Sequence, residues 1–183
     1  MTAVELRSPK LVLNSPTVAD IDAVFEYCQD PVFERFMTLP WPYRRSDAEY
    51  FVNQHVLRGW ETDTEYTWAL RRHNNGPLLG VVGYRAERAD LGFWLGAPHR
   101  GQGLMPEAVS AVADWLFGRG LSALNWECVV GNFASLSVAR KAGFTFVGER
   151  ASLIADRTGA YPQAWHGTLL SEDLRDPKPG WPG

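Results

Sequence analysis

The chain has 183 residues, of which 45% are hydrophobic and 21% charged, a composition that fits one globular domain with a sizeable core. Its formal net charge of −3 provides no basic excess, so we do not expect nucleic acid among its partners. No apolar run approaches the roughly 18 residues of a membrane-spanning helix, and the first residues show no signal peptide. We therefore expect a soluble, cytoplasmic protein with no membrane partner.

The two cysteines, Cys28 and Cys128, stand far apart and outside any metal-ligand spacing. This arrangement predicts two buried free thiols and no bound metal. Aromatic residues are abundant, with eight Trp, nine Phe and six Tyr. We expect some of them to line a cleft as well as to fill the core.

The first residues alternate between strand and helix signals. Residues 10–13 predict a short strand. Thr17 followed by Asp20 is a pattern typical of a helix N-terminus, and the apolar residues after it are spaced as on one face of a helix. We expect this helix to end at Asp30-Pro31.

Next comes an aromatic segment, residues 33–43, which prolines interrupt, so we interpret it as a structured loop. Residues 47–57 again have helical spacing. Two apolar runs, 66–70 and 78–84, flank Asn75-Gly76, and this combination predicts a β-hairpin.

The second half continues the alternation. Residues 91–95 predict a strand, which leads through a glycine-rich segment into a helix over 106–117. Further strands are predicted at 124–130, 144–147 and 165–170, with a helix over 132–142 between the first two. This order indicates a mixed α/β domain over residues 1–175. The Pro- and Gly-rich residues 176–183 predict a flexible tail.

The glycine-rich segment runs from Gly96 to Ala108, where a strand passes into a helix. A P-loop would need Lys and Ser or Thr where Gln102 and Gly103 stand, and a dinucleotide fingerprint would need glycine at Pro106. A pyrophosphate held by backbone amides at a helix N-terminus needs no residue that the sequence lacks. For this motif alone, an ordinary tight turn is the alternative.

A second motif lies downstream, from Asn132 through Ser135 to Gly143-Phe144. Together with the glycine-rich segment it resembles the GNAT family of acyl-CoA-dependent N-acetyltransferases, and most of all the RimJ/RimL-like branch. The resemblance covers nearly the whole chain. It implies a GNAT-like, mostly antiparallel central sheet with one splayed parallel strand pair, flanked by helices. It also implies acetyl-CoA as the cosubstrate, without a metal.

By this resemblance, main-chain amides of the loop bind the CoA pyrophosphate, and the pantetheine arm pairs with a strand edge. The residues it implies for cosubstrate binding are Phe93, Trp94, Leu95, Arg100, Gly101, Gln102, Gly103, Leu104, Met105, Asn132 and Arg140. Two positions depart from the family pattern. Met105 stands where a small residue is usual, and Ala139 stands where many members have a Tyr that protonates the leaving thiol.

Acyl transfer to an amine needs a base for the amine and an acid for the departing thiolate. The resemblance implies Ser135 as the acid, with helix capping by its hydroxyl as the alternative. Glu127 is the first candidate for the base, because a carboxylate inside a strand indicates a polar cleft; pairing with an arginine is its alternative. Asp90, with the alternative of a solvated turn acid, and His166, with that of a half-buried histidine, are further candidates.

The family layout implies that Trp41 and Tyr43 border the acceptor amine, with plain packing of their loop as the alternative. A peptide N-terminus, a polyamine or an amino-bearing antibiotic would each fit as acceptor, and the sequence leaves a homodimer open. We therefore predict an acetyl-CoA-dependent N-acetyltransferase that works by direct transfer. A CoA-binding regulatory module without turnover is the alternative function.

Overall fold

A computed structural model describes residues 1–183, the whole chain. Its centre is one sheet of eight strands: β1 (Leu6–Arg7), β2 (Val12–Asn14), β3 (Glu65–Arg71), β4 (Gly80–Arg85), β5 (Asp90–Leu95), β6 (Ala123–Val129), β7 (Thr145–Ala151) and β8 (Gln163–Leu170). In space they follow the order β1-β2-β3-β4-β5-β6-β8-β7. All neighbouring pairs are antiparallel except β5 and β6. The predicted mixed sheet is confirmed.

Six α-helices pack around the sheet: α1 (Ile21–Tyr27), α2 (Pro31–Phe36), α3 (Arg45–Tyr50), α4 (Val56–Glu61), α5 (Leu104–Gly118) and α6 (Phe133–Lys141). A π-helical turn, Phe51–His55, joins α3 to α4 without a break. Pro106 is the third residue of α5, within the first turn where a missing N–H costs nothing. None of these helices has the length and apolarity needed to cross a membrane.

The segment 33–43 is not all loop, because α2 extends into it. Pro31 occupies the first helical position, and the Asp30 carboxylate accepts a hydrogen bond of 2.9 Å from the Val32 amide. Asp30-Pro31 is therefore a helix start, while the preceding helix already ends at Tyr27. The later prolines of the segment indicate a loop, but Asp30 and Pro31 start a helix before them.

The parallel strands β5 and β6 touch at one position only. Asp90 lies opposite Asn125, and the Asn125 amide donates to the Ala89 carbonyl at 2.7 Å. Beyond this point no further residues pair, whereas β4 and β5 pair along their whole length. The expected splayed pair is present, and its gap opens towards the glycine-rich segment that follows β5.

Hydrophobic clusters cover both faces of the sheet. Trp68 and Ala69 are neighbours in β3 yet belong to different clusters, since successive strand side chains point to opposite faces. The larger cluster lies against α5, whose Val109 and Val112 are fully buried. Cys128 belongs to the larger cluster and Cys28 to the smaller, and both are the expected buried free thiols.

The last residues contact the domain. The ring of Trp181 lies 5.7 Å from that of Trp126 and 5.4 Å from that of Phe146, measured between centroids. Lys178 forms an ion pair of 2.7 Å with Asp173. Part of the segment 176–183 thus adds to the core, and its flexibility stays a prediction.

One buried ion pair ties the N-terminal helices to the sheet. The Arg71 guanidinium donates to both oxygens of Asp20, at 2.8 and 2.6 Å, and both side chains are almost fully buried. Asp20 also accepts the Thr17 amide at 2.7 Å, as the predicted capping pattern requires. Burial alone would raise the pKa of Asp20, but Arg71 and the Thr17 amide outweigh it and hold that pKa below its ordinary value.

Replacing Asp20 with Asn should lower the free energy of unfolding by about 3–5 kcal/mol, because it leaves the Arg71 charge buried without a counter-ion. Urea denaturation at neutral pH measures the loss. The matched control is Asp22→Asn, whose 79% exposed side chain pairs with Arg45 and should contribute less than about 1 kcal/mol. Equal effects of the two substitutions would contradict the role of the buried pair.

The same pair predicts an acid dependence with a definite sign. Since folding lowers the pKa of Asp20, its contribution to stability is present above the ordinary value of 3.8 and disappears as the pH falls through the folded pKa. The Asp20→Asn variant should therefore lose less stability than the wild type when the pH is lowered through this window.

Candidate active site

Two cavities adjoin where β5 and β6 separate. The helix cavity, of about 350 Å³, lies between the end of β5, the N-terminus of α5, α6 and α2. The sheet cavity, of about 260 Å³, lies between α2, strands β5 and β6, and the loop of residues 152–162. Five residues line both cavities: Phe36, Met37, Phe93, Asn132 and Ser135. A molecule that occupies one cavity therefore comes close to a molecule in the other at Ser135.

The glycine-rich loop presents free backbone amides to the helix cavity. Gly101 and Gly103 have φ values of +75° and +72°, which favour glycine, and open space surrounds both. The amides from Gly101 to Met105 donate to no acceptor in the protein. They stand at the positive end of the α5 dipole, which suits an anion. Leu104 and Met105 turn their side chains into the core, so Met105 fits here although it is not small.

Arg100 lines the helix cavity but already has partners. Its guanidinium pairs with Asp30 at 2.8 Å, donates to the Leu95 carbonyl at 3.1 Å and lies over the Phe33 ring. The Val32 amide and Arg100 together hold the pKa of Asp30 below its ordinary value, against the effect of burial. The charge that Arg100 offers to an anion is therefore shared with Asp30.

The end of β5 forms one wall of the helix cavity through Phe93, Trp94 and Leu95. Trp94 is 8% exposed, and its ring packs edge-on against the rings of Tyr27 and Phe33. On this side of the gap the strand has β4 on one edge and no strand partner on the other. Its outer backbone groups can therefore pair with an extended ligand.

Asn132 and Ser135 begin α6 at the junction of the cavities. The Asn132 side chain caps the helix, accepting the Ser135 amide at 3.1 Å. The Ser135 hydroxyl has a different role, since its oxygen accepts a hydrogen bond of 3.1 Å from the Trp126 indole. Trp126 was not among the predicted site residues, because only the packing of β6 against α6 brings its indole to Ser135.

Glu127 faces the sheet cavity from β6, with a side chain that is 10% exposed. The Ser152 hydroxyl donates to one carboxylate oxygen at 2.7 Å, and the Leu153 amide donates to the other at 3.0 Å. His166, opposite Glu127 in β8, has its Nδ1 3.5 Å from the same carboxylate. Glu127 thus forms no ion pair with an arginine, and Ser152 is a neighbour that the sequence did not indicate.

The other two candidates for a base, Asp90 and His166, are less exposed than Glu127. Asp90 is 4% exposed, and the Arg85 guanidinium donates to both of its oxygens, at 2.9 and 2.5 Å. The solvated turn acid considered as its alternative is therefore not what the structure shows. His166 is also 4% exposed, and its Nε2 has no hydrogen-bond partner.

The structure does not bring every predicted residue to the cavities. Arg140 is exposed and lines neither, while Lys141, one position later in α6, lines the helix cavity. Gln102 turns its side chain away to Arg72 and to the Pro98 carbonyl. Helical spacing from Ala134 would have identified Lys141, which lies two turns further along the same face.

The two residues expected beside the acceptor lie elsewhere. Tyr43 is 5% exposed within the smaller hydrophobic cluster, and burial raises the pKa of its hydroxyl. Trp41 is half-buried and lines neither cavity. The sheet cavity is bordered by α2 and by the loop of residues 152–162, and not by these two residues.

Charged side chains distinguish the sheet cavity from the more apolar helix cavity. Its carboxylates are Glu34, Glu127 and Asp156. Among its guanidinium groups, Arg157 donates to the backbone carbonyls of Met37 and Leu39, at 3.1 and 3.2 Å. Carbonyls do not neutralise Arg157, so with Arg85 bound to Asp90 the remaining cations are Arg35 and Arg157. Against three carboxylates, they leave the cavity with a small negative excess.

Known proteins share this architecture. A family model described as an acetyltransferase (GNAT) domain matches residues 10–145. YjcK of Bacillus subtilis (strain 168), described as a probable N-acetyltransferase, is 31% identical over 91 residues. That match covers 46% of this chain and 50% of YjcK, so it spans half of the relative's length.

Solved structures extend the likeness to most of the chain. RimL, a ribosomal α-N-protein acetyltransferase in complex with coenzyme A, has a TM-score of 0.78 at 19% identity, covering 91% of this chain and 98% of RimL. RimJ of Mycobacterium smegmatis, in complex with CoA-disulfide, has a TM-score of 0.76 at 14% identity, covering 93% and 87%. At these identities the likeness shows the fold. Because the family model matches most of its length, the chain belongs to the GNAT family of acetyltransferases, and its fold is similar to those of RimL and RimJ.

Proposed function

We propose that this protein transfers the acetyl group of acetyl-CoA directly to a primary amine. The observation that carries the proposal is the junction of two cavities at Ser135, one lined by free backbone amides and the other by carboxylates that form no ion pair with an arginine. The first suits an anionic cosubstrate and the second a cationic amine. The fold neighbours RimL and RimJ, which were solved with CoA or CoA-disulfide, support this assignment.

The helix cavity would hold the cosubstrate. The amides from Gly101 to Met105 suit its pyrophosphate, and the free edge at Phe93 to Leu95 suits its extended arm. Asn132 and Lys141 line the opposite wall. Because the amides are neutral, fixed dipoles, they can bind the anion without a metal ion.

The sheet cavity would hold the acceptor amine, with Glu127 as the base that removes its proton, directly or through a water molecule. The amine nitrogen then forms a bond to the acetyl carbon while the carbon–sulfur bond breaks. Ser135 gives its hydroxyl proton to the departing thiolate, and the proton that the acylated nitrogen loses restores the Ser135 hydroxyl, directly or through water. Glu127 and Ser135 both line the sheet cavity, which allows one amine to meet both.

The acceptor in this proposal is a protein N-terminus or a small-molecule amine, since both carry an ammonium that the carboxylates of the sheet cavity attract. RimL acts on a ribosomal protein, which favours the first of the two. The proposal includes the cytoplasmic location predicted from the sequence.

Release of free CoA thiol from acetyl-CoA tests the proposal, with N-terminal peptides, polyamines and aminoglycosides as separate acceptors. We expect thiol release that depends on one of these amines. Stabilisation by CoA without thiol release, at any pH and with every amine, would contradict the proposal and support a CoA-binding module without turnover.

Replacing Gly103 with Val should remove most of the rise in melting temperature that CoA causes. A β-branched residue is strained at a φ of +72°, and its side chain would fill the space in front of the loop amides. Differential scanning fluorimetry with and without CoA measures the effect. The matched control is Gly120→Val, which has a φ of +93° and equally open surroundings at the far end of α5. The control should lose a similar amount of stability and keep the CoA response, whereas a full response in Gly103→Val would exclude the loop as the anion site.

Replacing Ser135 with Ala should reduce kcat by roughly 10²–10⁴-fold while leaving the affinity for CoA almost unchanged, because the hydroxyl acts on the departing thiolate. The helix cap should survive, since Asn132 provides it. Steady-state kinetics at saturating acetyl-CoA measure kcat, with Ser110→Ala in α5 as the control. A Ser135→Ala variant within about threefold of the wild type would remove Ser135 from the mechanism.

A further inference from the structure

We infer that Trp126 is a positioning residue that directs the Ser135 hydroxyl proton towards the thiolate that leaves during the reaction. The inference rests on the proposed function and adds to it a residue that lines the sheet cavity and acts on the reaction through Ser135. Its basis is the hydrogen bond of 3.1 Å from the Trp126 indole nitrogen to the Ser135 oxygen.

The direction of this bond is fixed by the chemistry of its partners. An indole N–H can only donate, so the Ser135 oxygen must accept. The hydroxyl of a serine rotates freely unless a hydrogen-bond partner fixes the orientation of its O–H bond. With one of its lone pairs engaged by Trp126, the Ser135 proton has to point away from the indole. In the structure the Ser135 oxygen donates no hydrogen bond to a protein acceptor, so that proton stays available.

The backbone of Ser135 is held by a separate contact. Its amide donates to the Asn132 side chain at 3.1 Å, which fixes the first turn of α6. Backbone and hydroxyl are therefore positioned by different residues, from α6 and from β6. Loss of the Trp126 contact should free the hydroxyl without uncapping the helix.

The indole itself has little freedom. Trp126 is 2% exposed and pairs in register with Gly167 of β8, where an added Cβ would come within 3.3 Å of the indole ring. The ring of Trp181 packs on it at an interplanar angle of 61°. These contacts hold the ring in place, so the indole N–H bond keeps one orientation.

Cys128 is the other group beside the hydroxyl. Burial raises the pKa of its thiol to about 12, although contact with Ser135 opposes this effect. The thiol proton points to the Asn132 carbonyl, with the sulfur 3.7 Å from the oxygen. A neutral thiol is a weak acceptor, so it competes poorly with a thiolate for the Ser135 proton.

The test compares two replacements of Trp126. Phe removes the N–H and part of the ring, whereas benzothienylalanine, introduced by amber suppression, replaces the N–H by sulfur and keeps the shape and the fold. For the second variant we expect kcat to fall roughly tenfold to 100-fold, as a misplaced catalytic group would cause, with the KM for acetyl-CoA within about threefold of the wild type.

The matched control is Trp60, which is 3% exposed, donates its indole N–H to the Thr67 carbonyl and lines neither cavity. The same two replacements there should lower the melting temperature and leave kcat unchanged. This control separates loss of a buried indole hydrogen bond in general from loss of the bond to Ser135.

A double-mutant cycle decides whether Trp126 acts through Ser135. In the Ser135→Ala background, replacing Trp126 should cause no further loss of kcat. A kcat within about threefold of the wild type for the benzothienylalanine variant, or an equal further loss in the Ser135→Ala background, would overturn the inference. If the wild type releases no thiol with any amine, the proposed function fails and the inference falls with it; an active wild type with an insensitive Trp126 refutes the inference alone.

Discussion

Because β5 and β6 pair only between Asp90 and Asn125, the facing edges beyond that point lack a strand partner. Backbone groups that are buried without a partner are costly, so such an edge must be solvated or occupied by a ligand. The gap also lets the helix cavity and the sheet cavity meet through the sheet. Without it, α5 and the loop of residues 152–162 would lie on separate surfaces, and the groups around Ser135 would have no common space.

Two ion pairs neutralise part of the charge around the gap. Asp90 is bound by Arg85, and Arg100 shares its charge with Asp30. Besides the carboxylates of the sheet cavity, the groups left for a ligand are neutral dipoles: the loop amides and the Ser135 hydroxyl. Their orientation is set by folding, so they need no rearrangement when charge develops on a bound molecule. Glu127 differs, because its carboxylate is free of any arginine and open to the sheet cavity.

Local patterns in the sequence predicted the features whose causes are local. The capping pattern at Thr17 and Asp20, the glycine-rich loop and the face of α5 all depend on residues a few positions apart. Features that depend on contacts between distant segments were not predictable in this way. The Ser152 partner of Glu127 and the burial of Tyr43 are of this kind. Arg140, which the resemblance implied, lines neither cavity, whereas Lys141 on the same helix lines the helix cavity.

The residues of the candidate site and the residues that position them lie in different parts of the chain. Residues 90–144 contain the glycine-rich loop, Glu127 and Ser135, and the GNAT family model ends at residue 145. The groups that hold Glu127 and its neighbour Trp126 come later in the chain: Ser152, His166, Gly167 and Trp181. The antiparallel register of β6 and β8 places them, since it sets His166 opposite Glu127 and Gly167 opposite Trp126. A shift of that register by one residue would turn Glu127 and Trp126 to the other faces of the sheet, so the C-terminal hairpin determines the geometry of groups that the earlier motifs supply.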